Sequence, residues 1–259
     1  MNRVLIGTCG FQKSRKLHYD RLDVVELQQT FYDPPNSETL RKWRREAPSH
    51  FEFTVKAWML ITHEYNKKLW SRLKRDIPGK VENYGSFKAT DEVLWAWKET
   101  LRSAIDVKSK IIVFQTPASF KPEKRSLENL INFIEVIKHD IMKHDIKIAW
   151  EPRGEWWNKR NLLEKISVEH NLIIVGDILK NRLVESEYND IVYMRLHGLG
   201  SGEVNYRYKY TTQDLLELKN KIESIKNKII YILFNNIYSF EDASKLKEII
   251  KSGLPKPRF

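Results

Sequence analysis

Eight short apolar runs recur along the chain between stretches of helical periodicity. The runs are VLIGTCG from Val4, VVELQQTFY from Val24, FEFTVKA from Phe51, IIVFQTP from Ile111, IKIAWEPR from Ile146, LIIVGD from Leu172, IVYMRLHG from Ile191 and IIYILFNN from Ile229. Parallel strands covered by helices read as continuous Val, Ile and Leu runs. Eight strand–helix units in 259 residues fit the roughly 250 residues typical of a (β/α)8 barrel. The sequence therefore predicts an α/β protein with a single TIM-barrel domain over residues 1–259.

Helix start signals lie between the apolar runs. Ser37 fits an N-cap ahead of SETLRKWRREA, because its hydroxyl can accept a hydrogen bond from a free backbone N–H of the first turn. Thr211 and Asp214 fit a capping box, in which each side chain bonds the other residue's backbone. These signals support the alternation of strands and helices.

Polar and charged residues follow the apolar runs, where the predicted strands end. The carboxyl-terminal strand ends of a TIM barrel meet at one face, and TIM-barrel enzymes carry their active sites there. The candidates at these ends are Cys9, Glu26, Lys56, Gln115, Glu151, Arg153, Asp177, Arg195, His197, Asn235 and Asn236. We therefore expect the functional site at this mouth of the barrel.

Glu26 and Lys56 are charged residues in otherwise apolar strands. Strand alternation places Glu26 on the same face as Val24 and Gln28. A buried carboxylate has to be paired, metal-bound or protonated, and an unpaired buried ammonium is costly to desolvate. An ion pair between Glu26 and Lys56 on neighbouring strands would satisfy both groups. Such a pair would be either part of a catalytic site or a purely structural contact.

Two later strand ends carry an arginine beside an acid or a histidine. Glu151 and Arg153 in AWEPRGEWW lie on one side of a strand, and Arg195 and His197 in YMRLHG repeat the arrangement. The planar guanidinium of arginine suits carboxylate and phosphate, and histidine exchanges protons near neutral pH. His63, in the loop after the third run, is a second candidate for proton transfer.

The remaining candidates suggest several kinds of site. Gln115 and Asn235 are neutral side chains suited to substrate binding. A set made of Glu26, Glu151, Asp177 and His197 would suit a divalent metal, although no local ligand spacing supports one. No P-loop and no GxGxxG fingerprint is present, so no nucleotide cofactor is expected. Cys9 is the one cysteine, which excludes an intramolecular disulfide and thiolate metal clusters. It is either a nucleophile or a buried small side chain.

The connection between the third and fourth runs, residues 58–110, is enlarged and predicted to be helical and basic. It contains Lys67, Lys68, Arg72, Lys74 and Arg75 among Tyr65 and Trp70. Basic side chains beside aromatic platforms suit a single-stranded nucleic acid. Alternatively, an amphipathic helix turns these charges to water while its aromatic residues pack on the barrel.

The charge balance favours anionic partners. The chain has 45 Lys and Arg against 34 Asp and Glu, a net charge of +11. This excess suits nucleic acid or a phosphorylated metabolite, but a surface rich in Lys, Glu and Ile of the thermophile type needs no partner. No apolar stretch reaches the roughly 20 residues of a membrane span, and no signal peptide is recognisable. We expect a cytoplasmic location without a membrane partner.

Taken in order, the motifs resemble the domain of unknown function 72 family, also called YecE-like. They are IGTCGF, VVELQQTFY, FTVKAWMLITH, FQTPASF, AWEPRGEWW, YMRLHG, NYRYKY and ILFNN, between residues 6 and about 246. The resemblance implies a single (β/α)8 barrel and brings no settled activity with it. It points to Glu26, Lys56, His63, Gln115, Glu151, Arg153, Arg195, His197 and Asn235, and adds Tyr206, Arg207 and Tyr208 above the mouth. The chain departs from the family pattern at Cys9, Phe11, Gln28–Gln29 and Ser244.

These observations lead to three functional hypotheses. The first is an enzyme, hydrolytic or phosphate-handling, that acts on an anionic substrate and in its most concrete form is nuclease-like. Glu26, Lys56, His63, Glu151 and His197 would be its catalytic groups, with Gln115, Arg153, Arg195, Tyr206 and Asn235 binding substrate. The second is a nucleic-acid-binding protein without catalysis that uses the basic connection. The third is a carbohydrate or sugar-phosphate enzyme.

Overall fold

Eight parallel strands form the centre of the protein. A computed structural model of the chain describes residues 2–185 and 189–252. The strands are β1 (Arg3–Cys9), β2 (Val24–Leu27), β3 (Glu52–Lys56), β4 (Ile111–Gln115), β5 (Lys147–Glu151), β6 (Ile173–Ile174), β7 (Ile191–Leu196) and β8 (Ile229–Phe234). Their order in the sheet is β6-β5-β4-β3-β2-β1-β8-β7. A parallel bridge between Gly176 and Met194 joins its two ends, so the predicted barrel is confirmed as a nearly closed one.

Helices pack on the outside of the barrel. They are α1 (Arg15–Arg21), α2 (Gln29–Tyr32), α3 (Ser37–Glu46), α4 (Met59–Thr62), α5 (Lys67–Trp70), α6 (Asp91–Asp106), α7 (Lys124–His144), α8 (Arg160–Glu169), α9 (Thr212–Ser224) and α10 (Ser239–Ser252). The capping box of Thr211 and Asp214 is confirmed at the start of α9. The predicted cap of α3 is wrong by one residue, because Asn36 accepts the hydrogen bond from Thr39 N. None of the helices in the described ranges has the length and apolarity needed to cross a bilayer.

The strands separate two apolar clusters on their two faces. Leu5 and Val24 belong to the cluster inside the barrel. Their neighbours Ile6 and Val25 belong to the larger cluster between the strands and the helices. Successive residues of a strand point to opposite faces. Strand position therefore decides which strand-end residues turn towards the mouth.

The enlarged connection between β3 and β4 is mostly irregular. It contains the short helices α4 and α5, a 3-10 turn at Val81–Asn83 and one full helix, α6. The basic segment does not form the continuous amphipathic helix considered from the sequence, because α5 spans only four residues. Buried Trp70 and Tyr84 anchor this part of the chain, and their rings meet edge to face with centroids 5.6 Å apart.

Candidate active site at the carboxyl ends of the strands

The charged strand ends continue the inward-facing rows of the barrel. Glu26 lies two residues after Val24 on β2, and Arg195 lies two residues after Tyr193 on β7. The same alternation holds on the other strands for Lys56, Gln115, Glu151 and Asn235. The rows change from mostly apolar to polar and charged at the mouth, as the sequence indicated.

Arg195 connects its own strand, β7, with four others at this mouth. Its Nη2 lies 3.0 Å from Glu26 Oε1, and its Nη1 forms an ion pair with Glu151. Nη1 also donates to Gln115 Oε1 at 2.9 Å, and Nε donates to Cys9 Sγ at 3.4 Å. Burial alone lowers the pKa of Arg195, but Cys9 and the two carboxylates raise it well above its ordinary value. Arg195 is therefore a fixed cation.

Glu26 is held by Arg195 and by neutral donors. Tyr193 Oη donates to Glu26 Oε2 at 2.9 Å, and Gln28 Nε2 donates to Oε1. Thr54 Oγ1 lies 2.8 Å from Tyr193 Oη and donates to it. Burial raises the pKa of Tyr193 well above its ordinary value, so the phenol keeps the proton that it shares with Glu26.

The predicted ion pair between Glu26 and Lys56 is wrong. Lys56 Nζ lies 3.8 Å from the centroid of the Phe31 ring, and within the described ranges no carboxylate oxygen comes within 4.0 Å of it. Arg195 reaches across the barrel from β7 and binds Glu26 and Glu151 with one planar group. Burial, followed by the nearby charge of Arg195, lowers the pKa of Lys56 to about 7.

Glu151, Arg153 and His197 form the second half of the cluster. Arg153 Nη2 lies 2.9 Å from Glu151 Oε1, and His197 Nε2 lies 2.7 Å from the same oxygen. Burial raises the pKa of Glu151, but Arg153, Arg195 and His197 outweigh this effect and hold it well below its usual range. Glu151 is therefore ionised, so Nε2 carries the proton of the histidine and donates it to Glu151. His197 Nδ1 accepts from Asn235 Nδ2 at 3.1 Å.

His197 is neutral in this arrangement. Burial lowers its pKa to about 4, in spite of the neighbouring Glu151. Nε2 lies 2.7 Å from Glu151 Oε1 and 3.0 Å from Arg153 Nη2. Because the ionised Glu151 can only accept, we assign the single ring proton to Nε2, which leaves the Nδ1 lone pair to Asn235. His197 thus orients Glu151 and is a poor proton acceptor at neutral pH.

A small cavity of about 20 Å³ lies beside this group, and Arg153, Asp177 and His197 are among its lining residues. Arg153 Nε and Asp177 Oδ2 are buried without a hydrogen-bond partner within the described ranges. A space of this size with polar walls suits one water molecule. Burial raises the pKa of Asp177 to about 6, so this carboxyl also titrates near neutral pH.

The donor set considered for a divalent metal does not come together. Arg195 stands between Glu26 and Glu151 and pairs with both, while Asp177 Oδ1 caps the backbone N–H of Leu179. Among the residues that the structure describes, no group of three or more His, Cys, Asp or Glu side chains has the geometry of a metal site. The mouth does not offer the four predicted ligands to one ion.

Comparison with known proteins fits this architecture. A family model described as "Protein of unknown function DUF72" matches residues 9–258. The chain belongs to this family. UPF0759 protein YunF of Bacillus subtilis (strain 168) is 23% identical over 265 residues, which cover 93% of this chain and 86% of that protein. A DUF72 family protein from Enterococcus faecalis V583 superposes with a TM-score of 0.73 at 20% identity, covering 97% of this chain and 98% of that one.

Structures outside the DUF72 family share the fold of this chain. A xylose isomerase domain containing protein from Salmonella typhimurium LT2 has a TM-score of 0.59 at 14% identity, covering 96% of this chain and 95% of that one. AP endonuclease, family 2, from Brucella melitensis has a TM-score of 0.56 at 12% identity, covering 97% and 99%. At such identities the likeness concerns the barrel alone.

Two predicted site residues of the DUF72 chain lie at the edge of the cluster. His63 contacts Thr62 Oγ1 through Nδ1 at 2.8 Å and meets the Phe31 ring edge to face. Burial, with Lys56 nearby, lowers its pKa to about 3. His63 also lines a separate cleft of about 450 Å³. Tyr206 is partly exposed, and its ring meets that of His197 with centroids 6.1 Å apart.

The five basic residues of the β3–β4 connection fall into two groups. Arg75 pairs with Asp33 and Glu99 at 2.6 and 3.0 Å, so its charge is neutralised within the fold. The other four, Lys67, Lys68, Arg72 and Lys74, are exposed. The guanidinium of Arg72 lies 4.4 Å from the centroid of the Tyr32 ring.

Sequence reasoning missed three contributors to the cluster. Tyr193 and Thr54 lie at inward positions two residues before Arg195 and Lys56, so alternation could have identified them as polar groups in an apolar row. Phe31 lies on α2, outside the strands. Nothing in the sequence pattern indicated that its ring covers Lys56.

Proposed function

We propose that this DUF72 chain is an enzyme that binds a small anionic substrate, such as a phosphate ester, at the carboxyl-terminal mouth of its barrel. The charge balance of the buried cluster supports this proposal. Arg153 and Arg195 are offset by Glu26 and Glu151. Lys56 is a further cation, and no carboxylate of the described residues pairs with it. A protonated Lys56 leaves the cluster with one uncompensated positive charge, which an anion would neutralise.

The partners of each group suggest how the work is divided in this enzyme. The donors of Arg195 face Glu26, Glu151, Gln115 and Cys9, so its role is to hold the cluster together. Lys56 keeps a free ammonium or amine, which can bind an anion and exchange a proton near neutral pH. A group whose pKa lies near the working pH is the most effective acid or base catalyst. Lys56 is thus the proton-transfer candidate for a hydrolytic or phosphate-handling reaction.

Anion binding and hydrolysis test the proposal without knowledge of the natural substrate. Inorganic phosphate and pyrophosphate are titrated into the wild type, Lys56→Met and Lys165→Met, with calorimetry as the readout. Lys165 is an exposed lysine paired with Glu169 at 3.8 Å, and it is the matched control. We expect Lys56→Met to weaken binding by about tenfold or more, because a charge-assisted contact is lost, and Lys165→Met to bind normally. Equal binding by all three proteins, or by none, contradicts the proposal.

The hydrolytic step is measured separately with bis(p-nitrophenyl) phosphate and p-nitrophenyl phosphate. We expect the turnover of the wild type to change with pH near neutrality and the turnover of Lys56→Met not to change there, because the titrating group is gone. Turnover that is unchanged in this variant would remove Lys56 from the reaction.

A second candidate function is binding of nucleic acid by the β3–β4 connection, with or without cleavage. Four of its basic residues are exposed, and the ring of Tyr65 beside them is 57% exposed. An exposed ring among basic side chains suits stacking on a single-stranded base. The AP endonuclease neighbour adds an analogy of fold only. For the carbohydrate alternative the geometry offers no specific support, because Asn235 donates to His197.

Fluorescence anisotropy with labelled oligonucleotides across a salt series tests this second function. The double variant Lys68→Glu, Lys74→Glu should weaken binding. The slope of log affinity against log salt should become shallower by about 1.4 for single strands, because two phosphate contacts are lost. Lys138→Glu with Lys143→Glu, on α7, is the matched control of equal charge change. Identical affinity in both double variants would exclude the connection as the binding surface.

A further inference from the structure

Lys56 combines features that are uncommon for a lysine. The residue is only 6% exposed, and its Nζ rests on the face of the Phe31 ring at 3.8 Å from the centroid. Among the neighbouring charges, the guanidinium of Arg195 affects the pKa of Lys56 most, and it carries the same sign. An amine that is desolvated beside another cation is the usual environment of an activated lysine nucleophile.

We propose that Lys56 is a nucleophilic amine that forms a Schiff base with the carbonyl carbon of an anionic aldehyde or ketone. This inference rests on the proposed function, since the same mouth binds the anionic end of the molecule. It adds the substrate class and the reacting atom.

The covalent step balances without any other reactant. The Nζ lone pair forms a bond to the carbonyl carbon while the carbon–oxygen π pair moves to oxygen. A proton passes from nitrogen to that oxygen and gives a carbinolamine. The hydroxyl then leaves with a second proton as water, and the nitrogen lone pair forms the carbon–nitrogen double bond. One amine and one carbonyl thus yield one imine and one water.

The surroundings of Lys56 favour the free amine that this step requires. Charged and titratable groups face it from β7, β2, β5, β1 and the end of α4, and they are Arg195, Glu26, Glu151, Cys9 and His63. The carboxylates and the Phe31 ring favour the ammonium form, whereas burial and Arg195 oppose it. The opposing effects dominate and bring the pKa to about 7. At neutral pH Lys56 therefore holds roughly a thousand times more free amine than a solvent-exposed lysine.

A structural explanation competes with this one. Lys56 would then close the end of β3, rest its stem on Phe31 and never react. Both explanations predict a buried lysine, but only the nucleophile reacts selectively with a carbonyl compound and does so with a midpoint near neutral pH.

Reductive trapping in the wild-type chain of 259 residues separates the two explanations. The probe is glycolaldehyde phosphate, with glycolaldehyde as its uncharged counterpart and cyanoborohydride to reduce the imine. Peptide mass spectrometry then locates the modified lysines at a series of pH values. We expect modification at Lys56 at pH 7 to exceed that at exposed Lys165 by about tenfold or more, with a rate midpoint near pH 7. Adducts that are spread over exposed lysines and missing at Lys56 would overturn the proposal. So would a modification rate at Lys56 whose pH midpoint is that of an exposed lysine.

Variants and the uncharged probe complete the test. Lys56→Arg should remove the adduct while keeping the charge, and circular dichroism checks that the variant folds. The wild-type map decides the question even where the variant does not fold. Faster modification by the phosphate probe supports both proposals. Equal modification by the two probes keeps the nucleophile and removes the anion site. Phosphate binding without any adduct at Lys56 keeps the anion site and removes the nucleophile.

Discussion

Replacing Arg195 with methionine should destabilise the protein strongly. Methionine keeps much of the length and apolar surface of the side chain but removes its charge and its donors. In the wild type the side chains of Arg195 and Glu26 are both fully buried, and Glu151 is nearly so. Solvent therefore cannot compensate the carboxylates when their common partner is lost.

The remaining partners set the size of the effect. Glu151 keeps Arg153 at 2.9 Å and the proton of His197, whereas Glu26 keeps only neutral donors, among them Tyr193. Lys56 makes no ion pair with Glu26 and compensates it only from beyond 4.0 Å. The main cost is thus one buried carboxylate without a counter-ion in direct contact, which amounts to about 3–5 kcal/mol. For a chain of this size, roughly 2–4 °C per kcal/mol converts this cost into a fall in Tm of about 6–20 °C.

Thermal and urea unfolding of four proteins would test this prediction. These four are the wild type, Arg195→Met, Glu26→Gln and the double variant, and a fifth protein, Lys165→Met, is the exposed control. We expect Glu26→Gln to restore part of the stability of Arg195→Met, because it removes the uncompensated charge, with a coupling of about 1–3 kcal/mol. Two results would show that this arginine does not neutralise Glu26. One is a double variant whose loss of unfolding free energy equals the sum of the losses in the two single variants, and the other is an Arg195→Met protein as stable as the wild type.

Three further predictions concern pH and backbone packing. Burial lowers the pKa of Lys56 to about 7, so from there to about pH 10 the unfolded chain holds a proton that the folded chain lacks. Stability should rise with pH in this window by up to about 1.4 kcal/mol per unit, and urea unfolding should show no such rise in Lys56→Met. Burial raises the pKa of Asp177 from 3.8 to about 6, so between these values the folded chain holds the extra proton and stability falls as pH rises. Thermal unfolding at about pH 4.5 and about pH 7 should show that Asp177→Asn removes this fall. A Cβ atom at Gly7 would lie 1.8 Å from Val24 O, whereas one at Gly202 would meet nothing within 4 Å. Gly7→Ala should therefore fail to give soluble folded protein. Gly202→Ala is strained only by the positive φ of 88° at that position, which costs about 1–2 kcal/mol, so it should still fold, as gel filtration and circular dichroism would show.

The barrel could be predicted because each strand has a recognisable local sequence pattern. The apolar runs mark the strands, and alternation marks their inward positions, so the two apolar clusters and the polar mouth followed from the sequence. β6 is the exception, since only Ile173 and Ile174 form a regular strand there. Beyond it, the barrel closes through the bridge between Gly176 and Met194, and a Cβ atom at Gly176 would lie 1.8 Å from Arg182 O. No local pattern reveals a contact of this kind.

Membership of the candidate site was predictable, but its pairing was not. Alternation states that Glu26, Lys56 and Arg195 face the mouth, yet it does not state which of them touch. Because Glu26 and Lys56 lie on the neighbouring strands β2 and β3, the sequence suggested them as partners. Arg195 on β7 pairs with Glu26 instead, because its side chain is long enough to cross the interior and its planar guanidinium binds Glu151 as well as Glu26. Reach across a barrel depends on three-dimensional geometry that strand order alone does not contain.

The basic connection shows the same limit on the surface. In the sequence Arg75 is indistinguishable from Lys74 or Arg72. In the fold it is enclosed by Asp33 and Glu99, which come from the segment after α2 and from α6. Charge counting therefore overestimates the surface available to a polyanion by one residue in five.

The absence of the predicted ion pair between Glu26 and Lys56 and the reactivity proposed for Lys56 have one physical cause. Because Arg195 occupies Glu26, Lys56 has no counter-ion, and because Arg195 is itself a cation, it also disfavours a charge on Lys56. Removing the arginine should reverse both effects at once. In Arg195→Met the carboxylate of Glu26 is free to attract Lys56 and the repulsion is gone, so the pKa of Lys56 should rise towards its ordinary value. The midpoint of reductive trapping at Lys56 should then move upward from pH 7, and the adduct formed at neutral pH should decrease. A midpoint that stays where it is would mean that burial against Phe31 alone controls the amine, and that Arg195 has no part in its activation.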